Sequence, residues 1–350
     1  NDNLDGDLTD STNIIKLVKE IKLYTDRPVE IRPKVGRDER VKYTVQDQLR
    51  SGNYHCIVTY NSIASLEAIT IGMPAVVTGP NAGSYLSEKD LKNIVAIVTG
   101  SSSGVGAATA KLLASLGCNL VINYNSNSAG ADAVATECEK HGAETLTVKA
   151  NVANDDECKS LVNEAIQKWG RIDVLVNNAG TTKFVDHANL EGLSAEDFHK
   201  IYGVNVIGAY QMVRAVSEQM KSQGSGGAIV NVASIAGVAG VGSSIAYAAS
   251  KGAMITMTLS LARVLGPSIR VNVVCPGFIE GEWLKEGLGD DVYNKAHEAA
   301  RKGAPLGVTA TAETVADSIL YFIVGPQVVT GESIIVDGGR HLGMTPLTRR

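Results

Sequence analysis

Tyr247 and Lys251 lie four positions apart in Tyr-Ala-Ala-Ser-Lys, a spacing that places two side chains on one face of a helix. A free tyrosine has a pKa of about 10 and is a poor proton donor or acceptor at neutral pH. A lysine cation one turn away would stabilise the phenolate and lower that pKa, so the pair could act in general acid–base catalysis. Taken alone, however, such a pair is more typical of the exposed face of an amphipathic helix.

Ser234 lies thirteen positions before Tyr247 and could donate a hydrogen bond to a substrate oxygen on which negative charge develops. Together the three side chains suit a reaction in which a carbonyl oxygen first gains charge and then a proton.

A glycine-rich turn spans Thr99 to Gly106 in Thr-Gly-Ser-Ser-Ser-Gly-Val-Gly. It follows an apolar run and precedes a helical pattern, which is the position that a dinucleotide-binding turn requires. Glycines permit a tight turn and let the backbone approach a pyrophosphate, while the helix N-terminus attracts the phosphates. The residues of the turn that are predicted to bind the cofactor are Thr99, Gly100, Ser102, Ser103, Gly104, Val105 and Gly106.

Short runs rich in Val and Ile alternate with longer helical segments from Asn93 onward. The runs are nearly continuous, as expected for strands whose two faces are both covered by helices. Strand–helix–strand repeats of this length predict right-handed crossovers and an α/β fold with a doubly wound parallel sheet of the Rossmann type. The predicted strands are Asn93–Thr99, Asn119–Asn123, Thr145–Ala150, Val174–Asn177, Gly227–Val232, Arg270–Val274 and Ser333–Val336, with helices at Val105–Ser115 and Val152–Lys168.

Several motifs follow the glycine-rich turn in a fixed order. They are Asn-Asn-Ala-Gly at 177–180, Asn205, Ser234, Tyr-x-x-x-Lys at 247–251 and Pro-Gly at 276–277. In these motifs the segment from about Asn93 to about Gly343 resembles the short-chain dehydrogenase/reductase family. The resemblance implies an NAD(P)-dependent oxidoreductase that transfers a hydride between its cofactor and a small carbonyl or alcohol substrate, as 3-oxoacyl reductases and sugar dehydrogenases do.

The same resemblance implies roles for individual residues. The catalytic residues would be Asn205, Ser234, Tyr247 and Lys251, with Asn205 holding a water that links Lys251 to solvent. Further cofactor-binding residues would be Asn151, Val152, Asn178, Ala179, Gly180, Pro276, Gly277 and Ile279, besides Tyr247 and Lys251 themselves. The family also implies a homotetramer or homodimer, with interfaces formed by the helices around Asn205 and Tyr247. Trp283 falls in the family's substrate loop, at about 278–300, although packing is the role that we expect for Trp169 and Trp283.

Three positions depart from the family pattern. Asn151 replaces the acidic residue expected near the adenine, and Gly281 replaces a threonine that often contacts the nicotinamide amide. Ser103 stands where many NADP-dependent relatives carry arginine. The amide of Asn151 can still accept a hydrogen bond, whereas Gly281 has no side chain with which to contact the nicotinamide amide.

The choice between NADP and NAD depends on the end of the second predicted strand. An NAD-dependent enzyme usually places a carboxylate there to bind the ribose 2′-hydroxyl, and this carboxylate would repel a 2′-phosphate. The sequence has neither Asp nor Glu from Cys118 to Gly130. Asn123, Asn125 and Ser126 are predicted to face the cofactor, and the last two could donate to a phosphate without an arginine to support them. NADP is therefore favoured over NAD.

The composition excludes several classes of function. The net charge of −5 over 350 residues gives no basic surface for nucleic acid. Since no apolar run reaches the roughly 18 residues of a membrane span, no membrane partner is expected. The five cysteines are scattered, which is typical of unpaired thiols in a reducing, cytoplasmic location. No metal site is predicted, because four of the histidines lack the spacing of metal ligands: His187, His199, His297 and His341.

Residues 1–90 are predicted to form a small N-terminal α/β extension, distinct from a dehydrogenase domain at 91–350. The predicted elements of this extension are helices at Asp10–Tyr24 and Ser62–Ile71 and strands at Val29–Arg32, His55–Thr59 and Ala75–Thr78. The stretch from Thr59 to Val76 has Glu-Ala in its helix and Gly-x-Pro before its second strand, and resembles part of a polysaccharide glycosyltransferase. A complete enzyme of that kind needs a second nucleotide-sugar domain, so we expect a truncated or fused piece without catalysis of its own.

Two other functions stay open on the sequence. A non-catalytic nucleotide-binding module could keep the same fold, although the intact set of four predicted catalytic residues argues against it. A sugar-transferring fusion protein with a dehydrogenase-like tail would need more than the short N-terminal extension. Adding reduced cofactor with a panel of carbonyl compounds, and following the absorbance of the nicotinamide, distinguishes the three functions.

Overall fold

The computed structural model describes residues 57–59, 75–77 and 91–343. The chain divides into two units, residues 1–88 and residues 89–350. All the motifs of the predicted nucleotide and proton-transfer sites lie in the second unit.

In the first unit, two short strands pair in parallel: β1 (Ile57–Thr59) and β2 (Ala75–Val77). They fall within the strands predicted at His55–Thr59 and Ala75–Thr78. The other elements predicted there lie outside the described residues, namely Asp10–Tyr24, Val29–Arg32 and Ser62–Ile71. Most of the stretch that resembles a glycosyltransferase also lies outside them.

In the second unit, the described residues form a seven-stranded parallel sheet with the order β5-β4-β3-β6-β7-β8-β9. Its strands are β3 (Val95–Val98), β4 (Asn119–Tyr124), β5 (Thr145–Lys149), β6 (Val174–Asn177), β7 (Gly227–Val232), β8 (Ile269–Pro276) and β9 (Ser333–Val336). The order reverses between β3 and β6, as in a doubly wound fold, so the predicted fold class is confirmed. β8 is longer than predicted because its pairing with β9 continues through Cys275 and Pro276.

Ten α-helices occur among the described residues of the second unit. They are α1 (Gly104–Ser115), α2 (Ser128–Lys140), α3 (Asp155–Trp169), α4 (Ala195–Tyr202), α5 (Ala209–Ser222), α6 (Ala236–Ala239), α7 (Ile245–Leu265), α8 (Glu282–Leu288), α9 (Asp290–Gly303) and α10 (Ala312–Val324). A π-helical turn, Gly203–Gly208, joins α4 to α5, and single 3₁₀ turns occur at Leu190–Gly192 and Arg340–Leu342. α3 begins later than the predicted Val152, because the side chain of Asn154 caps it by accepting from the Asp156 amide.

The two faces of the sheet bury separate apolar clusters. Along β3, Ala96 and Val98 belong to one cluster with α1, α2 and α10, whereas Ile97 belongs to the other with α3, α5 and α7. β4 alternates in the same way, with Leu120 and Val121 in opposite clusters. Because successive side chains of a strand point to opposite faces, two covered faces require a continuous apolar run. The core therefore holds β3 and β6 rigidly, with their carboxyl ends at the crevice where such folds bind ligands.

Candidate active site

An open cleft of about 2360 Å³ crosses the carboxyl ends of the strands. The predicted site residues that line it are Gly100, Ser102, Ser103, Gly104, Val105, Asn123, Asn125, Ser126, Asn151, Val152, Asn178, Ala179, Gly180, Ser234, Tyr247, Lys251, Pro276, Gly277 and Ile279. The remaining three, Thr99, Gly106 and Asn205, lie behind its wall. The structure thus brings the predicted nucleotide turn and the predicted proton-transfer residues into one cleft.

The glycine-rich turn joins β3 to α1 and lies directly against the loop that follows β6. Gly100 has a φ of +62°, and a Cβ there would lie 2.9 Å from the Cα of Ala179. A Cβ at Gly106 would lie 2.5 Å from both Asn178 Nδ2 and the Gly100 carbonyl oxygen. Any larger residue would push the turn away from the β6 loop, which explains glycine at both positions.

Thr99 and Asn178 hold these two loops together from below. The buried Thr99 hydroxyl accepts hydrogen bonds from the backbone amides of Asn178 and Ala179, both at 3.0 Å. The Asn178 side chain donates in return to the carbonyl oxygens of Thr99 (2.9 Å) and Gly100 (3.0 Å). Thr99 is predicted to contact the cofactor. In the structure it supports the glycine-rich turn, which is itself predicted to bind the cofactor.

The N-terminus of α1 faces the cleft. Its N-cap residue, Ser103, is extended, and the Ser103 side chain makes no capping hydrogen bond. The first amides of α1 can therefore bind an anion with the help of the helix dipole. A Cβ added at Gly104 would have no atom within 4 Å. The turn thus leaves room beside these amides, as the pyrophosphate of a dinucleotide requires.

At the end of β4, Asn123 lines the cleft and also supports the glycine-rich turn. It is 2% exposed, and its Oδ1 accepts from the Gly100 amide at 3.1 Å. Its Nδ2 donates to the carbonyl oxygens of Ala150 (3.0 Å) and Val148 (3.3 Å). Asn123 thus ties the turn to β5, while Asn125 and Ser126 stay exposed on the cleft wall where a ribose substituent could meet them.

Tyr247 and Lys251 occupy the first two turns of α7. The hydroxyl of the N-cap Ser244 accepts from the Tyr247 amide at 3.2 Å, which fixes the start of the helix. Lys251 Nζ lies 5.6 Å from the centre of the Tyr247 ring and donates to the Val232 carbonyl oxygen at 2.7 Å. Ser234 follows β7, and its hydroxyl accepts from the Ala236 amide at 3.1 Å. The predicted helical pairing of Tyr247 with Lys251 is therefore present.

The pKa of Tyr247 is opposite in direction to the sequence-based expectation. Removal from water raises the pKa of the Tyr247 phenol to about 12, although interaction with Ser234 partly lowers it. Burial also lowers the pKa of Lys251 to about 8, against a smaller raising effect of Cys275. Tyr247 is half-buried in the wall of the cleft. The chain's own groups thus keep Tyr247 protonated, which suits a proton donor.

Asn205 lies in the π-helical turn, and its side chain is fully buried. Its Oδ1 accepts from the Thr181 amide at 2.8 Å, and its Nδ2 donates to the Thr181 carbonyl oxygen and to Ser250 Oγ, each at 3.0 Å. A Cβ added at Gly180 would lie 3.5 Å from Asn205 Oδ1 and 3.6 Å from Lys251 Nζ. The side chains of Asn205 and Lys251 therefore approach the same point near Gly180. Asn205 also lies in a π-helical turn, a feature that often occurs at functional sites.

Sequence reasoning missed an aromatic wall opposite Tyr247. Trp283, on α8, is 50% exposed, and its ring centre lies 6.4 Å from that of Tyr247 and 5.7 Å from that of Phe184. The packing role expected for Trp283 is therefore incomplete, because half of its surface faces outward. No motif identifies Phe184, which reaches the cleft from the loop after β6, and only the position of Trp283 in the predicted substrate loop indicated this wall.

Two histidines bind carboxylates near the cleft. His297 Nε2 lies 3.2 Å from Glu280 Oε1 and 3.0 Å from Thr309 Oγ1, and His341 Nδ1 lies 2.9 Å from Asp337 Oδ1. Across the part of the chain that the structure describes, no group of three or more His, Cys, Asp or Glu side chains could hold a metal ion. Within the same residues, none of the helices combines the length and apolar character needed to cross a membrane.

Comparison with known proteins gives consistent matches. Residues 100–341 match the family model described as enoyl-(acyl carrier protein) reductase. A 3-oxoacyl-(acyl-carrier-protein) reductase from Synechocystis is 38% identical over 248 residues, covering 70% of this chain and 96% of that protein. An L-rhamnose 1-dehydrogenase (NAD(P)(+)) from Azotobacter vinelandii is 37% identical over 248 residues, covering 69% of this chain and 94% of that protein.

A solved structure agrees with these matches. The crystal structure of a protein from Burkholderia xenovorans assigned to the short-chain dehydrogenases/reductases is 36% identical and superimposes with a TM-score of 0.66. The match covers 71% of this chain and 98% of that one. The family model begins within the nucleotide turn and ends beyond β9, so it includes all four predicted catalytic residues. The chain therefore belongs to the short-chain dehydrogenase/reductase family and is an NAD(P)-dependent oxidoreductase.

Proposed function

We propose that the protein reduces a small carbonyl compound with NADPH, or oxidises the alcohol in reverse, with Tyr247 as general acid and base. The observation that carries this proposal is the convergence of Ser234, Tyr247 and Lys251 on the cleft that the glycine-rich turn also lines. When bound, the nicotinamide supplies or accepts the hydride at the carbonyl carbon.

Tyr247 gives its phenolic proton to the carbonyl oxygen as the C–O double bond is reduced. Its pKa of about 12 keeps the phenol protonated at neutral pH, so the donor is present before the substrate binds. Ser234 donates a hydrogen bond to the same oxygen, where negative charge develops. The Ser234 hydroxyl accepts from the Ala236 amide at 3.1 Å and donates to the Pro276 carbonyl oxygen at 3.5 Å, a long contact that a substrate oxygen can replace.

Lys251 returns a proton to Tyr247, and Asn205 positions a water that links Lys251 to solvent. Lys251 has a pKa of about 8 and therefore exchanges protons readily near neutral pH. Its Nζ lies one helical turn from Tyr247 and shares the neighbourhood of Gly180 with Asn205. Because Asn205 is fixed by three hydrogen bonds, it can position a water behind Lys251 without moving.

The proposal is tested by mixing the protein with NADPH and a panel of aldehydes, ketones and sugars. Loss of the absorbance of reduced nicotinamide, with formation of the alcohol, is the expected result. Nucleotide binding without turnover of any carbonyl would favour the non-catalytic module. Transfer of a sugar without a change in absorbance would favour the fusion protein.

Cofactor preference is expected to change when Asn125 is replaced by Asp. The unmodified protein should show a higher kcat/KM with NADPH than with NADH, since Asn125 and Ser126 can donate to a 2′-phosphate. A carboxylate about 4 Å from a phosphate at a protein surface is repelled by up to about 4 kcal/mol, so Asn125→Asp should lower kcat/KM for NADPH about tenfold or more. Asn163→Asp, on the exposed face of α3, adds the same charge away from the cleft as a control. If the unmodified protein binds NADH about tenfold more tightly than NADPH, this assignment is wrong.

Self-association into a homotetramer or homodimer is also part of the proposal. α7 and the π-turn with α5 expose apolar side chains: Ile207 (50%), Tyr210 (47%), Leu259 (49%) and Val264 (67%). Faces of this kind on neighbouring helices suit an interface between copies. Light scattering of dilute protein should therefore give a mass above that of the monomer. A monomer mass at all concentrations would contradict the proposed assembly.

Residues 1–90 are proposed to be a separate unit, a truncated or fused piece like part of a glycosyltransferase, that the chemistry does not need. Among the described residues, those that line the cleft all come after residue 90, and Leu91 is part of the core of the second unit. Deleting residues 1–90 should leave kcat within about threefold of the full chain when both are assayed with the same cofactor. A truncated protein that folds by circular dichroism yet has no activity would contradict this expectation.

A cytoplasmic location is proposed as well. The four cysteines of the described part, Cys118, Cys138, Cys158 and Cys275, are unpaired and buried. Burial raises the pKa of Cys138, Cys158 and Cys275 to about 11 and that of Cys118 further, so these thiols stay protonated. Free thiols in such number are typical of proteins from a reducing compartment.

A further inference from the structure

The aromatic wall of the cleft is built by two elements that meet at a glycine. Phe184, from the loop after β6, lies so close to α8 that any Cβ at Gly287 would overlap its ring. Trp283 is four positions before Gly287, on the same face of α8, and its ring centre lies 5.7 Å from that of Phe184 with the planes inclined at 55°. The glycine therefore lets Phe184 fix the position of Trp283.

Trp283 also faces the proposed proton donor. Its ring centre is 6.4 Å from that of Tyr247, with an angle of 45° between the planes. Two aromatic neighbours nevertheless leave 50% of Trp283 exposed, and Val241, which also lines the cleft, is 50% exposed as well. Exposed indole surface beside a reacting group offers a flat, apolar contact to a ring carried next to the carbonyl.

The segment that carries Trp283 is negatively charged, and three of its carboxylates, those of Glu280, Glu282 and Glu286, line the cleft. Residues 280–291 contain five carboxylates and one cation: Glu280, Glu282, Glu286, Asp290 and Asp291 against Lys285. All five carboxylates are exposed, and Lys285 is paired with Glu282 at 3.1 Å. On the facing loop, Lys183 is paired with Asp197 at 2.7 Å. The cleft is also lined by basic residues outside this segment, namely Lys111, Lys200, Lys251 and Arg340.

We propose that the substrate is an uncharged ketone or aldehyde with a flat ring beside its carbonyl group, and that Trp283 is the residue that selects it. The inference rests on the proposed carbonyl reduction. Acyl groups carried on coenzyme A or on an acidic carrier protein are poor substrates, because their phosphates and carboxylates would meet the cleft-lining carboxylates of Glu280, Glu282 and Glu286. The substrate class therefore differs from that in the names of the 3-oxoacyl reductases that the chain resembles.

The first test compares kcat/KM for acetophenone, 2-butanone and acetoacetyl-coenzyme A at saturating NADPH. We expect acetophenone to have the highest value in the unmodified protein. Trp283→Ala should lower kcat/KM for acetophenone about tenfold or more and that for 2-butanone less than threefold, since only the ring loses its stacking partner. Trp283→Phe, which keeps an aromatic face, should retain most of the preference.

A second test measures binding without turnover. The chain has two tryptophans, and Trp169 lies away from the cleft on α3, where its Nε1 donates to Glu144 at 2.8 Å. Titration of 1-phenylethanol into the NADPH-bound protein should quench tryptophan fluorescence in Trp169→Phe. The same titration should give no quenching in Trp283→Phe, in which only Trp169 emits.

The outcomes separate this inference from the proposed function. Absence of turnover with every carbonyl compound would reject the reduction itself. Reduction of acetoacetyl-coenzyme A with a higher kcat/KM than acetophenone would overturn the substrate class while leaving the reduction intact. An unchanged ratio of acetophenone to 2-butanone in Trp283→Ala, or quenching that persists in Trp283→Phe, would overturn the role of Trp283.

Discussion

Replacement of Tyr247 by Phe should lower kcat for carbonyl reduction by about 10² or more, the scale of a lost general acid. The phenyl ring keeps the contact with Trp283 and the helix start at Ser244, so the fold should be unchanged. Only the proton that Tyr247 gives to the carbonyl oxygen is removed. The measurement is kcat at saturating NADPH and substrate, with circular dichroism as the check on folding.

A matched control comes from Tyr321, which lies on α10 and is 37% exposed. Tyr321→Phe makes the same chemical change outside the cleft and should keep kcat within about twofold. Titration with NADPH should give similar affinities for the unmodified protein and Tyr247→Phe, because the glycine-rich turn is intact in both. Turnover by Tyr247→Phe close to that of the unmodified protein would show that another group donates the proton.

Much of the fold could be predicted from local sequence, because two covered sheet faces require continuous apolar runs. β6, β7 and β9 have the predicted bounds. The errors fall at ends that depend on other parts of the chain. β8 is extended by pairing with β9, and α3 starts late because Asn154 serves as its cap.

The cleft shows the same division between local pattern and tertiary contact. Motif order placed Ser234, Tyr247 and Lys251 in one site, since backbone motifs determine which loops meet at the sheet edge. Motifs do not determine what a side chain turned toward another loop will bind. The sequence therefore does not predict that the Asn123 amide group joins the turn to β5, nor that Phe184 reaches the cleft.

The direction of the Tyr247 pKa also depends on tertiary contacts. From sequence, the neighbouring cation suggests a lowered pKa, but that argument assumes a charged lysine in water. In the fold both groups are removed from solvent, and the loss of hydration disfavours the phenolate and the ammonium ion alike. A cation that is itself near its pKa stabilises a phenolate less than a fully charged one would.

Replacement of Lys251 by Met should lower kcat by about 10², because Tyr247 would lose the group that resupplies its proton. Met has a similar length and apolar stem, so the packing of α7 should be kept. The Lys251 ammonium group also donates a hydrogen bond to the Val232 carbonyl oxygen, which Met cannot replace. At a single pH, the change in the free energy of unfolding would therefore combine two opposing effects. Loss of the hydrogen bond to Val232 destabilises the variant, whereas loss of the buried cation stabilises it.

The pH dependence of the free energy of unfolding separates the effect of the hydrogen bond from that of the buried cation. The pKa of Lys251 is about 8 in the folded protein against 10.5 for an unperturbed lysine, so between these values the unfolded chain binds more protons than the folded one. Stability contributed by this group therefore rises with pH across that window, by up to about 3 kcal/mol in total. The destabilisation by the buried cation is fully present below pH 8 and is relieved by pH 10.5, whereas Lys251→Met has no cation at this position.

Urea unfolding of both proteins without added nucleotide, from pH 7 to pH 10, should show the unmodified protein gaining stability relative to the variant. A difference that stays constant with pH would mean that Lys251 titrates normally in the fold and cannot exchange protons near neutral pH as proposed.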